Sequence, residues 1–121
     1  MTIAIVLVLI AQGVEFRAGD MTQTSWSIRG TTRLQADAEL RVIAVRIERR
    51  WDAEHAQFTE LKSDAVRLCA SAVTTHGGSF EAALKAGPAG DYEVVVAQCG
   101  ADEDRVLIRR RTVLGHAARA F

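Results

Sequence analysis

Hydrophobic positions along the chain fall into blocks separated by polar or glycine-rich breaks. The first block, Ile3 to Ala11 (IAIVLVLIA), is unbroken, dense in β-branched residues and followed at once by Gln12-Gly13. A membrane-crossing helix needs roughly 20 apolar residues, and a secretory leader carries basic residues ahead of its apolar stretch. This run is shorter, and no Lys or Arg precedes Arg17. The pattern predicts a buried strand, apolar on both faces, with a signal or anchor segment as the competing reading. Val14-Glu15-Phe16-Arg17 alternates and ends at Ala18-Gly19-Asp20, so Gln12-Gly13 is expected to turn a first hairpin. Residues 1–20 read either as a separate N-terminal strand or hairpin, or as an extension ahead of a true start at Met21.

Between Gly30 and Gly77 the chain has neither glycine nor proline, which favours continuous secondary structure. Leu40, Ile43, Ile47, Trp51, Glu54, Phe58, Leu61, Ala65, Leu68 and Ala72 fall at steps of three and four, and all but Glu54 are apolar. That is the stripe of an amphipathic helix, with Arg41, Glu48, Arg49, Asp52, Glu60, Lys62 and Asp64 on the opposite face. One such helix would run about 60 Å at roughly 1.5 Å per residue, so it either breaks near Trp51 to His55, with Asp52 capping a second helix, or projects toward a neighbouring subunit. The competing reading takes Leu40 to Ile47 (LRVIAVRI) as a strand, because Val42, Ile43, Val45 and Ile47 are β-branched.

After His76-Gly77-Gly78, Ser79 is placed to cap a short helix from Phe80 to Ala86, which Gly87-Pro88 would stop. Tyr92 to Cys99 then alternates, a turn follows at Gly100 to Asp104, and Arg105 to Leu114 resumes the extended pattern, predicting a C-terminal β-hairpin. The expected fold is therefore α+β: an antiparallel β-sheet packed against one long, intact or broken, helix and one short helix, in a single domain spanning residues 1–121.

Composition narrows the function classes. An apolar fraction of 49% is that of a chain that folds, and 15 basic against 15 acidic side chains leave no net field to attract nucleic acid or anionic lipid. Cys69 and Cys99 match neither a zinc pattern nor a disulfide framework, so two buried free thiols are expected, with a single bridge open only if the protein is secreted. No cofactor or metal is expected.

Candidate chemistry is sparse. Arg109, Arg110 and Arg111 form the densest basic run, with Arg46, Arg49 and Arg50 as a second cluster able to neutralise phosphates. On a strand the run would split between two faces beside Asp102, Glu103 and Asp104, the pattern of a charge-guarded edge. Asp52, Glu54 and His55 offer carboxylates and an imidazole for a metal or a proton. First-turn capping accounts for the same residues. Gly77-Gly78-Ser79 offers backbone amides to an anion or simply a loop and a cap. His55, Cys69 and Tyr92 are candidates to line a pocket between sheet and helices.

Ser25-Trp26-Ser27-Ile28-Arg29-Gly30 reads as an apolar strand ending in glycine. A long amphipathic stretch follows, then Thr75-His76-Gly77-Gly78-Ser79-Phe80-Glu81-Ala82-Ala83-Leu84 as a turn and short helix, and Asp91-Tyr92-Glu93-Val94-Val95-Val96 as a strand. In this order residues 25–97 resemble tail-completion or neck proteins of long-tailed phages and prophages. The resemblance implies a structural, virion-associated role; the residues themselves point to a cytoplasmic protein.

The leading expectation is a non-enzymatic, homo-oligomeric assembly module, or one that meets a structural protein partner. Surplus apolar surface at Leu40, Ile43, Ile47, Trp51, Phe58 and Leu61 would form the interface, with Trp51 as its hot spot. The alternatives are a small-molecule binder or small enzyme using the His55, Cys69 and Tyr92 pocket, and a nucleic-acid-binding regulator using Arg109 to Arg111.

Overall fold

The computed structural model describes residues 13–115. It is a β-sandwich of antiparallel strands: β1 (Glu15–Met21), β2 (Ser25–Thr31), β3 (Glu39–Asp52), β4 (Gln57–Val73), β5 (Ser79–Lys85), β6 (Gly90–Gln98) and β7 (Arg105–Leu114). One sheet has the order β1-β2-β5 and the other β4-β3-β6-β7. No helix occurs among the described residues, so the α+β expectation is replaced by an all-β architecture. The apolar run from Ile3 to Ala11 lies outside the described residues; the second strand of the hairpin expected there is β1, which continues through Ala18-Gly19-Asp20 to Met21 instead of ending there and pairs with β2.

The expected short helix is β5. Phe80, Ala82 and Leu84 are buried while Glu81, Ala83 and Lys85 are exposed, an unbroken period of two. The Gly-Gly-Ser and Gly-Pro signals that framed a helix instead frame a strand, because β5 pairs along its whole length with β2, from Ser25↔Lys85 to Thr31↔Ser79. The expected long helix is the hairpin of β3 and β4. Leu40, Val42 and Ala44 point into the core, and Ile43, Val45 and Ile47 lie half-buried on the other face of the same strand. A strand apolar on both faces offers hydrophobic residues at every spacing, including three and four, which is how it imitates a helical stripe. The strand reading of Leu40 to Ile47 describes this segment correctly.

Two further features sharpen the imitation. The turn between the strands needs no glycine: Ala56 adopts a positive φ of 49°, and the Asp52 carboxylate accepts hydrogen bonds from the amides of Glu54 and His55. Asp52 thus caps a turn rather than a second helix. The register also slips between Val45↔Arg67 and Ile47↔Lys62, a bulge of β4 that switches which of its residues face inward.

The core lies between the sheets. Phe16, Trp26, Ile28, Phe80, Ala82 and Leu84 from the three-stranded sheet meet Leu40, Val42, Ala44, Ala72, Tyr92, Val94, Val96 and Leu114 from the four-stranded one. Trp26 and Tyr92 meet edge to face at 5.8 Å between ring centroids, a favoured aromatic geometry. At one end, buried Thr74 donates to the Gln35 carbonyl and accepts from the Ala38 amide, while Thr32 donates to the Gly78 carbonyl. These bonds satisfy loop groups that would otherwise be buried unpaired. Along the open side between β1 and β7, Arg110 donates to the Phe16 carbonyl and stacks 4.2 Å from the Phe16 ring centroid.

Candidate docking face

Strand β3 runs past its partner. Its pairing with β6 ends at Arg46↔Tyr92, whereas its pairing with β4 continues to Asp52↔Gln57. The segment from Ile47 to Asp52 and its β4 complement therefore form a two-stranded arm of about 20 Å at roughly 3.3 Å per residue. Directly opposite residues in a sheet share a face. Ile43↔Cys69, Ile43↔Val95, Val45↔Arg67, Ile47↔Lys62 and Trp51↔Phe58 consequently lie on one side, the side turned away from the core. Ile43, Val45, Ile47 and Val95 there are half-buried and Cys69 is exposed, while Trp51 and Phe58 are 55% and 63% exposed at the arm's end. Their rings meet edge to face at 5.1 Å.

Four of the six anticipated interface residues, Ile43, Ile47, Trp51 and Phe58, are thus assembled into one stripe. The other two lie elsewhere. Leu40 is fully buried in the core, and Leu61 is exposed on the opposite side of the arm beside Glu48. Residues missed from the sequence are Val45, Val95 and Cys69; period-two alternation through Ile43, Val45, Ile47 and Trp51 would have exposed the stripe.

Ion pairs rim the stripe and fix the arm to the body. Glu60 accepts from Arg111 at 2.9 Å and lies 3.6 Å from Arg49, and Arg111 also reaches Asp91 at 3.1 Å. Lys62 contacts Glu93 at 2.9 Å, and Arg109 approaches the same carboxylate at 3.8 Å. The Arg111 guanidinium, by its hydrogen bonds and then its charge, holds the Glu60 carboxyl below its ordinary range, and Glu60 with Asp91 raises Arg111 further. Exposed pairs contribute little singly, but here two carboxylates, Glu60 and Glu93, each serve two cations.

The basic run does not form one surface. Arg109 and Arg111 are engaged by carboxylates on the outer face, while Arg110 points the other way onto Phe16. A phosphate would have to displace these partners. The proposed pocket trio is dispersed too: His55 is exposed at the arm tip, Cys69 lies on the outer face, and Tyr92 is in the core with its hydroxyl donating to the Pro88 carbonyl. Burial pushes the Tyr92 phenol up, against the opposing charge of Arg46. Cavities of about 370 and 260 Å³ are open depressions lined by Glu15, Phe16, Arg17, Arg29, Gly30 and Thr31, and around Met21 and Trp26, and neither is lined by that trio.

Asp52, Glu54 and His55 do converge, with ligand-type atoms within 4.8 Å of one another. The Asp52 carboxylate is already committed to two turn amides and to His55 Nδ1 at 2.7 Å, so the group serves the turn. Nor is the Gly77-Gly78 loop an open anion cradle, since the Gly78 amide donates to the Thr75 carbonyl. The cysteines depart from expectation: Cys69 is exposed and Cys99 only partly covered, and both are free. The long and short helical stretches within the phage-like order of residues 25–97 are strands. No protein family, curated protein or solved structure matches the chain.

Proposed function

We propose that the protein is a non-enzymatic assembly module that docks through the outer face of the four-stranded sheet and its arm. The single observation carrying this reading is the exposed Trp51–Phe58 pair on the same face of β3 as Ile47, Val45 and Ile43, with the Arg49–Glu60 ion pair between it and Ile47. Scattered surface apolar residues need no explanation. Two large aromatics at the end of one face, shared with Ile43, Val45 and Ile47 and interspersed with paired charges, have the make-up of a binding surface with a hot spot. The bland account of the pair, that each ring clasps the other to hold the arm together, accounts for their mutual contact but leaves both residues more than half exposed.

The discriminating measurement is mass in solution over a wide range of protein concentration, for the full chain and for Trp51→Ala. Association that weakens in Trp51→Ala, with an unchanged circular dichroism spectrum, supports docking by this face. A strict monomer at the highest concentration removes self-assembly. Association indifferent to Trp51 removes the face.

A further inference from the structure

The stripe has an internal symmetry. Trp51 stands four residues beyond Ile47 and Ile43 four residues before it, and their β4 neighbours are Phe58 and Cys69. The geometry points to a second copy of this chain as the occupant, its β3 packed antiparallel over the first about Ile47, so that each arm tip covers Ile43 and Cys69 of the other copy. This rests on the docking reading above and names its partner and register.

The charges favour this occupant. In that register β4 lies over β4, and Glu60, two steps past Ile47, falls on the second copy's Arg67, two steps before it. Arg67 is exposed on that face opposite Val45. Arg49 lands over Val45 and beside Glu93 of the other copy. Lys62 meets the second copy's Lys62 at the axis, each with its charge met by its own Glu93 at 2.9 Å. Because most cations on this face are matched by local carboxylates, a second such face is not repelled, whereas a highly charged partner finds no net field to meet. The register is isologous, each contact occurring twice, and it closes at two copies. A stripe about 27 Å long and two to three strands wide, at roughly 4.8 Å per strand, covers about 260–390 Å² in plane. That falls short of the roughly 800 Å² per partner of a standard complex, so the dimer is expected to be weak and concentration-dependent.

The test uses the full chain. Alkylation by N-ethylmaleimide is followed by mass spectrometry at dilutions where the mass is that of one chain and at concentrations where it doubles. Cys69 is expected to slow about tenfold when roughly nine-tenths of the chains are paired, with Cys99 as internal reference and Trp51→Ala restoring the dilute rate. The register is read separately in Cys99→Ser with Ala53→Cys, which leaves both aromatics intact. A short bis-maleimide should join position 53 of one chain to Cys69 of the other. The same positions within one chain are about 33 Å apart along the arm at roughly 3.3 Å per residue, beyond its reach. Doubling of mass with links only between the two positions 53, or with none, overturns the register and leaves the docking reading standing. A strict monomer overturns the dimer and removes self-assembly from the docking reading. Cys69 protected equally at every dilution also overturns the proposal, and assigns the cover to the chain's own residues, the apolar run from Ile3 to Ala11 foremost.

Discussion

Strands β3 and β4 belong both to the sandwich body and to the arm, yet they obey different rules in each. In the body, β3 has β4 on one side and β6 on the other, and its inner residues Leu40, Val42 and Ala44 are sealed by the opposing sheet. In the arm it keeps β4 alone, no second sheet lies beneath, and Trp51, Phe58 and Leu61 remain open to water. A two-stranded ribbon is marginal by itself, so this arm relies on local devices: the Asp52 turn, the Trp51–Phe58 pair and ion pairs to β6 and β7. What the body hides from water, the arm leaves exposed.

Substitutions should separate the two regions. The largest effect is expected from Leu40→Ala, which opens a cavity in the body and should cost about 2–5 kcal/mol in denaturant unfolding. If Leu40 belonged to an interface, the variant would dissociate without this loss. Gly78→Ala should follow at about 1–3 kcal/mol, because φ is +82° there and a Cβ would stand 2.2 Å from the Thr32 carbonyl oxygen. A silent variant would show that the loop joining β4 to β5 is not pinned.

Tyr92→Phe should cost about 1 kcal/mol by leaving the Pro88 carbonyl without its donor. It should also change the alkaline limb. The folded phenol titrates above its ordinary value through burial, so the stability linked to its neutral form is fully present below about pH 10 and is lost as pH rises through the folded value. Thermal melts across that range should fall for the native chain and stay flatter for the variant.

In the arm, Trp51→Ala should lower stability by only about 0.5–1.5 kcal/mol, the scale of an aromatic pair, while greatly weakening association. Unfolding of the body by this substitution would erase the distinction between the regions. The smallest effect belongs to Glu60→Gln. The Glu60 carboxyl is held below its unfolded value by Arg111, so its contribution is present above about pH 4.3 and is lost as pH falls through the folded value. The gap in melting temperature between the native chain and Glu60→Gln should therefore narrow in acid, and also in high salt, which screens exposed pairs.

The C-terminal hairpin and the strand alternative at Leu40 to Ile47 were legible because each carries β-branched residues or a turn signal within its own span, whereas the strand at Ser25 to Gly30 came only from the phage-like order. The strand β5 was legible in principle, through Phe80, Ala82 and Leu84, but flanking Gly and Pro pointed equally to a helix. Of the docking stripe, Ile43, Ile47, Trp51 and Phe58 were picked out as apolar surplus; their common face was not, since a helical wheel also gathers Leu40 and Leu61, which strand geometry sends elsewhere.

The order of residues by itself determined that the chain folds, carries no net charge and holds more apolar side chains in its middle third than alternation on one face requires. Only the tertiary structure decided which of them are core and which are surface. That choice rests on pairing between segments far apart in the chain, β2 with β5 and β3 with β6, and on a bulge in β4 that reverses its inward and outward positions. Local periodicity describes one strand's own two faces; which face meets another sheet is settled by the partner.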